Sequence, residues 1–348
     1  MRPLPANGVK SIRKFLITSF RLLATVGLLW ALATRTDVSR AAQLIGQVAL
    51  PLLATTLVAL LMANLVVALR WHLILSADAP SPGPAVLLKI VLVGLFFNQV
   101  LPTGVGGDAV RVWRCSKVGI GLGAALRSIL LDRACGYLVL IVAYAASLSS
   151  LLHTLADPRQ KALVVVMLGA GLLGLVALFV VDRLPRPLLN LRVIAPLAEL
   201  SRGSRRLFAK PARCGAVLGL STLTIGLSIL AFKLVADGVG SRLSFGTWLA
   251  IVPPVTLLQL LPISLAGWGV REVALVVMLA SFGVPTEAAL ATSVLLGFCL
   301  IVIGLPGGLI WLANWDIARP PSVLATSAAS CLRSSRRLPV PSDPHPPP

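Results

Sequence analysis

Nine apolar segments divide this chain, and their lengths restrict its fold more than any other feature. They cover approximately residues 15–34, 46–69, 85–101, 124–152, 162–181, 214–235, 247–261, 272–283 and 288–313. A helix needs about 20 apolar residues to cross a hydrocarbon core, and most of these segments reach or exceed that length. Charged residues make up only 12% of the chain, about half of what soluble domains carry. The sequence therefore predicts an all-α polytopic membrane protein.

Two of the shorter segments lead into a sequence motif that occurs twice, 160 residues apart. Its two copies are here called the first and the second phrase. The first copy reads LPTGVGGDAVR at 101–111, and the second reads LPISLAGWGVR at 261–271. Each copy sets a helix breaker, small residues and an arginine within apolar sequence. Irregular backbone is tolerated in a bilayer only where protein buries it or where it lines a cavity. Interrupted segments at corresponding places in two halves of a chain indicate a transport site.

The distribution of basic residues predicts the topology. Segments 85–101 and 247–261 are close to the lower length limit for a span, and we interpret each, with its phrase, as a re-entrant hairpin. With the N-terminus inside, the cytoplasmic stretches hold 21 Lys and Arg and the outer stretches hold 6, as the positive-inside rule requires. The expected architecture is about six spanning helices plus two re-entrant hairpins in an inverted repeat, with both termini cytoplasmic.

The chain is expected to have three parts. Residues 1–14 form a cytoplasmic N-terminal segment, 15–316 the transmembrane domain, and 317–348 a Pro-, Ser- and Arg-rich cytoplasmic tail whose composition predicts disorder. We favour a retained first helix over a cleaved signal peptide, because Arg21 interrupts its apolar core. Segment 272–283 is too short to span, and we expect it to pack against the second hairpin.

The first phrase supplies an anion-binding pattern, formed by Gly106, Gly107, Asp108 and Arg111. Glycines let backbone N–H groups approach an anion, especially where a helix begins. Arg111 lies about one turn further on and offers a planar guanidinium to a phosphate. Asp108 suits the first turn of a helix electrostatically, and this capping role is favoured over a catalytic one.

Asp132 and Arg133 lie about three turns into the predicted fourth helix. Ionisable residues at membrane depth are costly, so they are candidates for function. The alternatives are a buried pair with another helix, or extension of Arg133 to the cytoplasmic surface. Neighbouring helical residues point about 100° apart, so the two are expected to have different partners.

The second phrase supplies Gly267, Gly269, Arg271 and Glu272. The carboxylate of Glu272 has two interpretations of equal weight. It pairs with an arginine of the first half or binds a proton or a headgroup amine, or it forms a local salt bridge with its neighbour at the outer surface.

Other chemistries find no support in the sequence. The five cysteines are scattered without a CxxC pair, and we expect no metal site, no cofactor and no catalytic constellation. The net charge of +19 is spread between apolar segments rather than gathered in one patch, which argues against a nucleic-acid partner.

Four motifs carry a resemblance to a known family. They read NQVLPTGVGGDAVRVWR at 98–114, LLDRACG at 130–136, LPISLAGWGVREVAL at 261–275 and GVPTEAAL at 283–290. Over most of residues 10–315 the chain resembles the transmembrane, flippase-like region of the lysylphosphatidylglycerol synthetase family. The resemblance implies an integral protein of the bacterial inner membrane that is concerned with lipid translocation or lipid-linked envelope chemistry.

Two departures from the family pattern stand out. Bifunctional members carry a soluble aminoacyl-transfer domain, and we expect a stand-alone member here; Asp132-Arg133 replaces the Glu-Arg of many relatives.

The leading hypothesis is a translocase for an anionic or aminoacylated phospholipid or lipid-linked headgroup. Arg111 and Arg133 would bind phosphate with help from the Gly106–Gly107 backbone, while Asp108 and Glu272 balance charge or contact an amine. The alternative is a membrane-embedded enzyme, or the partner of one, in polyprenyl-linked sugar or envelope-lipid synthesis; a structural membrane subunit is a third. The expected partners are membrane lipids and possibly an envelope-lipid biosynthetic enzyme.

Overall fold

The structure is a computed structural model. It describes residues 6–77, 81–101, 106–183, 200–201, 203–205, 209–261 and 263–313. The tail at 317–348 and most of the basic stretch at 182–213 lie outside these ranges, as do the predictions made for them.

The described ranges are helical and contain no strand. The helices are α1 (Ala6–Ala33), α2 (Val38–Gly46), α3 (Leu50–Leu75), α4 (Pro84–Val100), α5 (Gly106–Lys117), α6 (Leu122–Thr154), α7 (Pro158–Val180), α8 (Pro211–Gly238), α9 (Phe245–Leu258), α10 (Val270–Ala280) and α11 (Thr286–Leu312). Five of them, α3, α6, α7, α8 and α11, are long and apolar enough to cross a membrane. The all-α polytopic class predicted from the sequence is confirmed.

The outward faces of the long helices are apolar, as lipid contact requires. Leu173 of α7 is 70% exposed and Leu309 of α11 is 68% exposed. A soluble protein rarely exposes contiguous apolar surface of this kind, because water disfavours it. A polar side chain caps the start of α2 instead. The carboxylate of Asp37 accepts hydrogen bonds from the Arg40 N–H and the Ser39 hydroxyl. These bonds hold the pKa of the Asp37 carboxyl below its usual range.

Helix α11 packs closely against α4 through glycines. A Cβ on Gly307 would lie 2.0 Å from the carbonyl oxygen of Leu92, and Cβ atoms on Gly304 and Gly308 would meet Phe96. Small residues spaced in this way allow two membrane helices to approach at backbone distance. These glycines therefore hold α4, which precedes the first phrase, against α11, which is the most buried of the five long apolar helices.

Helices α4 and α5 form a closely packed pair around the first phrase. A Cβ on Gly107 would lie 2.0 Å from the carbonyl oxygen of Gly94, and the Gly107 N–H donates to Oδ1 of Asn98 at 2.9 Å. The second phrase is flanked by α9 and α10, which are also in contact. Helix α10 has 11 residues, which is too few to cross the hydrocarbon core, and it packs on both α9 and α11.

Arg70 and Arg111 both lie at buried positions within helices. Arg70 lies in α3, which continues to Leu75, and Arg111 lies within α5. Both arginines lie beside the carboxylate of Asp132 on α6, and this pairing is invisible in a hydropathy profile.

Candidate functional site

Arg70 and Asp132 form an ion pair where α3 meets α6. Nε of Arg70 donates to Oδ1 of Asp132 at 2.8 Å, and Nη1 donates to the Ser221 hydroxyl of α8 at 3.1 Å. Gly136, one turn after Asp132, faces the guanidinium, and a Cβ there would lie in van der Waals contact with Nη1 at 3.4 Å. This pair joins three long helices.

Arg111 reaches the same carboxylate from α5. Its Nη2 lies 3.6 Å from Oδ2 of Asp132, and its Nη1 lies 3.3 Å from Oδ1 of Asp108. The guanidinium stacks over the ring of Trp71, 4.2 Å from its centroid, which favours a cation electrostatically. Trp71 is itself fixed by a hydrogen bond from Nε1 to the Ser128 hydroxyl at 3.0 Å. Arg111 is thus held in a preformed position.

Arg133 points away from Asp132, as expected for neighbouring residues on a helix, and pairs with Asp108. Its Nε and Nη2 donate to the two carboxylate oxygens at 3.1 and 3.0 Å, which is bidentate geometry. The side chain of Arg133 is 40% exposed, whereas that of Asp132 is 2% exposed. Arg133 is therefore the cation of this group that an approaching ligand meets first.

The charges of this group do not balance. Arg70, Arg111 and Arg133 carry three positive charges and Asp108 and Asp132 carry two negative ones, so the five side chains, here called the arginine cluster, hold one excess positive charge. Nε and Nη2 of Arg111 are also buried without a hydrogen-bond partner among the described residues. An unsatisfied buried donor costs about 1–3 kcal/mol. The arginine cluster is therefore suited to one additional anion.

A cavity of about 450 Å³ adjoins Arg133 and lies among α6, α7 and the end of α9. Apart from Arg133 and Tyr137 its walls are apolar. They include Ile141, Gly171, Leu175, Leu257 and Leu260. A guanidinium at the edge of an apolar cavity matches an amphiphilic ligand with a charged head and a hydrocarbon chain.

The second phrase forms a separate and self-contained ion pair. Nε and Nη2 of Arg271 donate to Oε1 of Glu272 at 3.1 and 2.8 Å, and the Ser293 hydroxyl of α11 donates to the same oxygen at 2.9 Å. The other oxygen, Oε2, accepts the Gly269 N–H at 2.5 Å. Glu272 is fully buried. The structure shows a salt bridge between these neighbours, but both side chains are buried rather than placed at an outer surface.

Two glycines of the second phrase adopt backbone conformations that other residues rarely take. Gly267 has φ 81° and Gly269 has φ 87°, in the left-handed region where a Cβ is strained. A Cβ on Gly269 would also lie 3.1 Å from Cβ of Leu28 in α1, and Thr25 of the same helix accepts the Leu265 N–H at 2.9 Å. Helix α1 therefore covers this irregular backbone, as a membrane environment requires.

The predicted site residues divide between these two places. Asp108, Arg111, Asp132 and Arg133 come together with Gly106 and Gly107 at the start of α5, while Gly267, Gly269, Arg271 and Glu272 lie in the second ion pair. No contact between Glu272 and the arginines of the first half is found among the described residues. A role in headgroup binding stays a prediction for both sets. The Gly107 N–H is already occupied by Asn98.

Sequence reasoning missed Arg70, Trp71 and Ser221. Arg70 and Trp71 directly follow the apolar segment 46–69, and a basic residue at that place is typical of a loop. Ser221 is unremarkable in a membrane helix. The four charges that the sequence singled out in the first half, those of Asp108, Arg111, Asp132 and Arg133, already balance, so a count of charges did not point to Arg70.

The described residues contain no group of three His, Cys, Asp or Glu side chains placed to hold a metal ion. Cys115, Cys135 and Cys299 are buried free thiols, and they pack as small apolar residues do.

Comparison with known proteins agrees with the architecture. No curated protein matches the chain. The family model described as the lysylphosphatidylglycerol synthase TM region matches residues 16–308. This range includes both phrases, the arginine cluster and all five long apolar helices except the last turn of α11. The chain is therefore a multi-pass membrane protein that belongs to the lysylphosphatidylglycerol synthase transmembrane family.

Proposed function

We propose that the protein moves an anionic or aminoacylated lipid between the leaflets of a bacterial inner membrane. The observation that carries this proposal is the excess positive charge of the arginine cluster beside an apolar cavity. A phosphodiester headgroup supplies one negative charge, and the cavity accepts the hydrocarbon that follows it. In a poorly solvated site this attraction is stronger than it is in water.

Arg133 is the first contact in this proposal. It is the exposed cation of the cluster, and a phosphate replaces Asp108 as the bidentate acceptor of its guanidinium group. Asp108 is then free to turn fully toward Arg111, whose Nη1 already lies 3.3 Å from it. The contact between Nη1 of Arg111 and Asp108 thereby shortens, and binding of the headgroup rearranges an existing ion pair.

The contacts of α11 support the proposal that the two phrases enter from opposite membrane faces. Ser293 and Gly297 contact the second phrase, while Gly304 to Gly308 contact α4, which leads to the first. These two sets are about ten residues apart, which is about 15 Å along a helix. Two hairpins inserted from opposite sides would meet a spanning helix in this order, as in transporters with inverted repeats.

Arg133→Gln tests the proposal most directly. Arg111 is 5% exposed and has Asp108, Asp132 and Trp71 as partners, so its removal would disturb the fold as well as the site. Arg133→Gln keeps a long polar side chain at a half-exposed position. The matched control is Arg159→Gln, at an exposed position at the start of α7.

The measurement is translocation of a fluorescent anionic phospholipid in proteoliposomes, with insertion checked separately. Loss of a charged hydrogen bond costs about 1.5–3 kcal/mol, so Arg133→Gln should slow transport about tenfold or more and Arg159→Gln should not. Equal rates for wild type and empty liposomes, with each of several anionic lipids, would refute the translocase and favour the envelope-enzyme alternative.

A further inference from the structure

A second cavity, with charged and polar side chains in its walls, lies at the far end of α8 from the arginine cluster. Its volume is about 340 Å³, and it is enclosed by α2, the loop between α8 and α9, and the loop that precedes α11. Ser221, which accepts a hydrogen bond from Arg70, and Gly238, the last residue of α8, are 17 residues apart. This is about 26 Å along the helix, close to the thickness of a hydrocarbon core. The two sites thus belong to opposite membrane faces.

The walls of this cavity carry one excess positive charge. Arg40 of α2 and Arg242 of the α8–α9 loop line it, together with Glu287 in the first turn of α11. Neither arginine makes an ion pair with another residue in the described part of the chain, and Glu287 only accepts a hydrogen bond from the neighbouring Thr286 hydroxyl at 3.2 Å. Two guanidinium groups without a salt bridge stand at one opening and favour an anion, and Asp37 at the start of α2 also interacts electrostatically with Arg40.

A buried hydroxyl in the same wall has no partner. Ser241 is 7% exposed, and its Oγ makes no hydrogen bond to any described residue. Most buried polar atoms in proteins are paired, so an orphan in a cavity wall indicates a missing ligand.

The start of α11 also faces this cavity, with unpaired donors. Its N-cap residue, Pro285, lines the cavity and makes no side-chain capping bond. The first N–H groups of a helix lack internal partners and carry a partial positive charge. One space is therefore surrounded by donors of three independent kinds. They are guanidinium groups, a hydroxyl and the start of a helix.

We infer that this cavity binds the phosphodiester group of a phospholipid headgroup. A phosphodiester carries one negative charge, which matches the excess charge of the walls, and its oxygens accept from guanidinium, hydroxyl and backbone N–H donors alike. Glu287 accepts a hydrogen bond from a hydroxyl or amine elsewhere on the headgroup. The volume suits a headgroup without its chains. The inference concerns binding only, so it holds or fails independently of the proposed transport.

Calorimetric titration of the purified full chain in an uncharged detergent tests this site. The probes are a short-chain phosphatidylglycerol and, in a parallel arm, inorganic phosphate. The Arg133→Gln variant serves as the background, because it weakens the binding proposed at the arginine cluster. In that background Arg242→Gln should weaken lipid binding about 10- to 100-fold, as loss of a charged hydrogen bond does, while Arg159→Gln should leave it unchanged.

The two arms distinguish the sources of the phosphate group. Binding of the lipid alone supports a headgroup site, and equal binding of inorganic phosphate supports a site for free phosphate with the same donors. Absence of both signals in the Arg133→Gln background, or binding that Arg242→Gln leaves unchanged, would overturn the inference.

Ser241→Ala separates ligand binding from folding. Without lipid, removal of an unpaired buried hydroxyl should leave the melting temperature unchanged or raise it. With lipid, affinity should fall about two- to tenfold, as loss of a neutral hydrogen bond predicts. A lower melting temperature without lipid, together with unchanged affinity, would show that the hydroxyl only supports the loop and would refute its part in the site.

Discussion

The side chain of Arg111 crosses α4 directly over Gly94. A Cβ at Gly94 would lie 2.8 Å from Cγ and 3.0 Å from Cδ of Arg111, and 3.2 Å from the Gly107 carbonyl oxygen. Only a hydrogen atom fits in that space. The position of this arginine is therefore set by a glycine on the preceding helix as much as by its carboxylate partners.

Gly94→Ala should displace Arg111 and separate α4 from α5. Overpacking of this kind costs about 1–3 kcal/mol, and we expect a lower melting temperature in detergent together with reduced lipid movement. Gly169→Ala in α7 is the control, since a Cβ there meets nothing within 4 Å. A Gly94→Ala protein as stable and active as the control would show that the close crossing is not required.

Asp132→Asn should be the most damaging single change in the arginine cluster. It leaves Arg70 and Arg111 buried with no carboxylate between them, and removing one partner of a buried pair costs about 3–5 kcal/mol. Asp157→Asn, at an exposed helix cap, provides the matched control. Thermal unfolding in detergent is the measurement, and the double variant Asp132→Asn/Arg70→Gln should recover part of the loss. Failure of the double variant to recover any stability would contradict the pairing.

Glu272→Gln should destabilise the protein without changing which lipids it binds. Both carboxylate oxygens of Glu272 are already engaged by Arg271, Ser293 and Gly269, so the substitution leaves Arg271 buried without its counter-ion. We expect a loss of about 3–5 kcal/mol, measured by thermal unfolding, with lipid preference compared by titration. A stable variant with altered headgroup preference would instead assign Glu272 to ligand binding, as one interpretation of the sequence holds.

The topology predicts which exposed positions an impermeant thiol reagent reaches. In a cysteine-free background, Lys117→Cys at the end of α5 should be protected in intact cells, and Ala156→Cys before α7 should be labelled. Both positions are exposed, which makes them better probes than the buried Arg114. The reason is the excess of basic residues on the stretches assigned to the cytoplasm. Labelling of Lys117→Cys in intact cells would rule out the re-entrant first hairpin.

Local features of the sequence determined the class of the fold and pointed to some of the charged residues of the site. Apolar runs of spanning length predict helices directly, because a helix satisfies its own backbone hydrogen bonds in lipid. The same reasoning made Asp132 and Arg133 conspicuous, since a charge within an apolar run needs a partner. Their different partners also followed from helical geometry alone.

Only the tertiary structure decided which partners those charges have. Arg70 and Asp132 are 62 positions apart, and Arg70 and Ser221 are 151 apart, so their contacts depend on how α3, α6 and α8 pack. Glu272 had two interpretations because its neighbour and the distant arginines offer the same charge. Hydropathy and spacing act along one chain segment, whereas ion pairs between helices depend on glycine contacts such as that of Gly94 with Arg111, which bring the segments together.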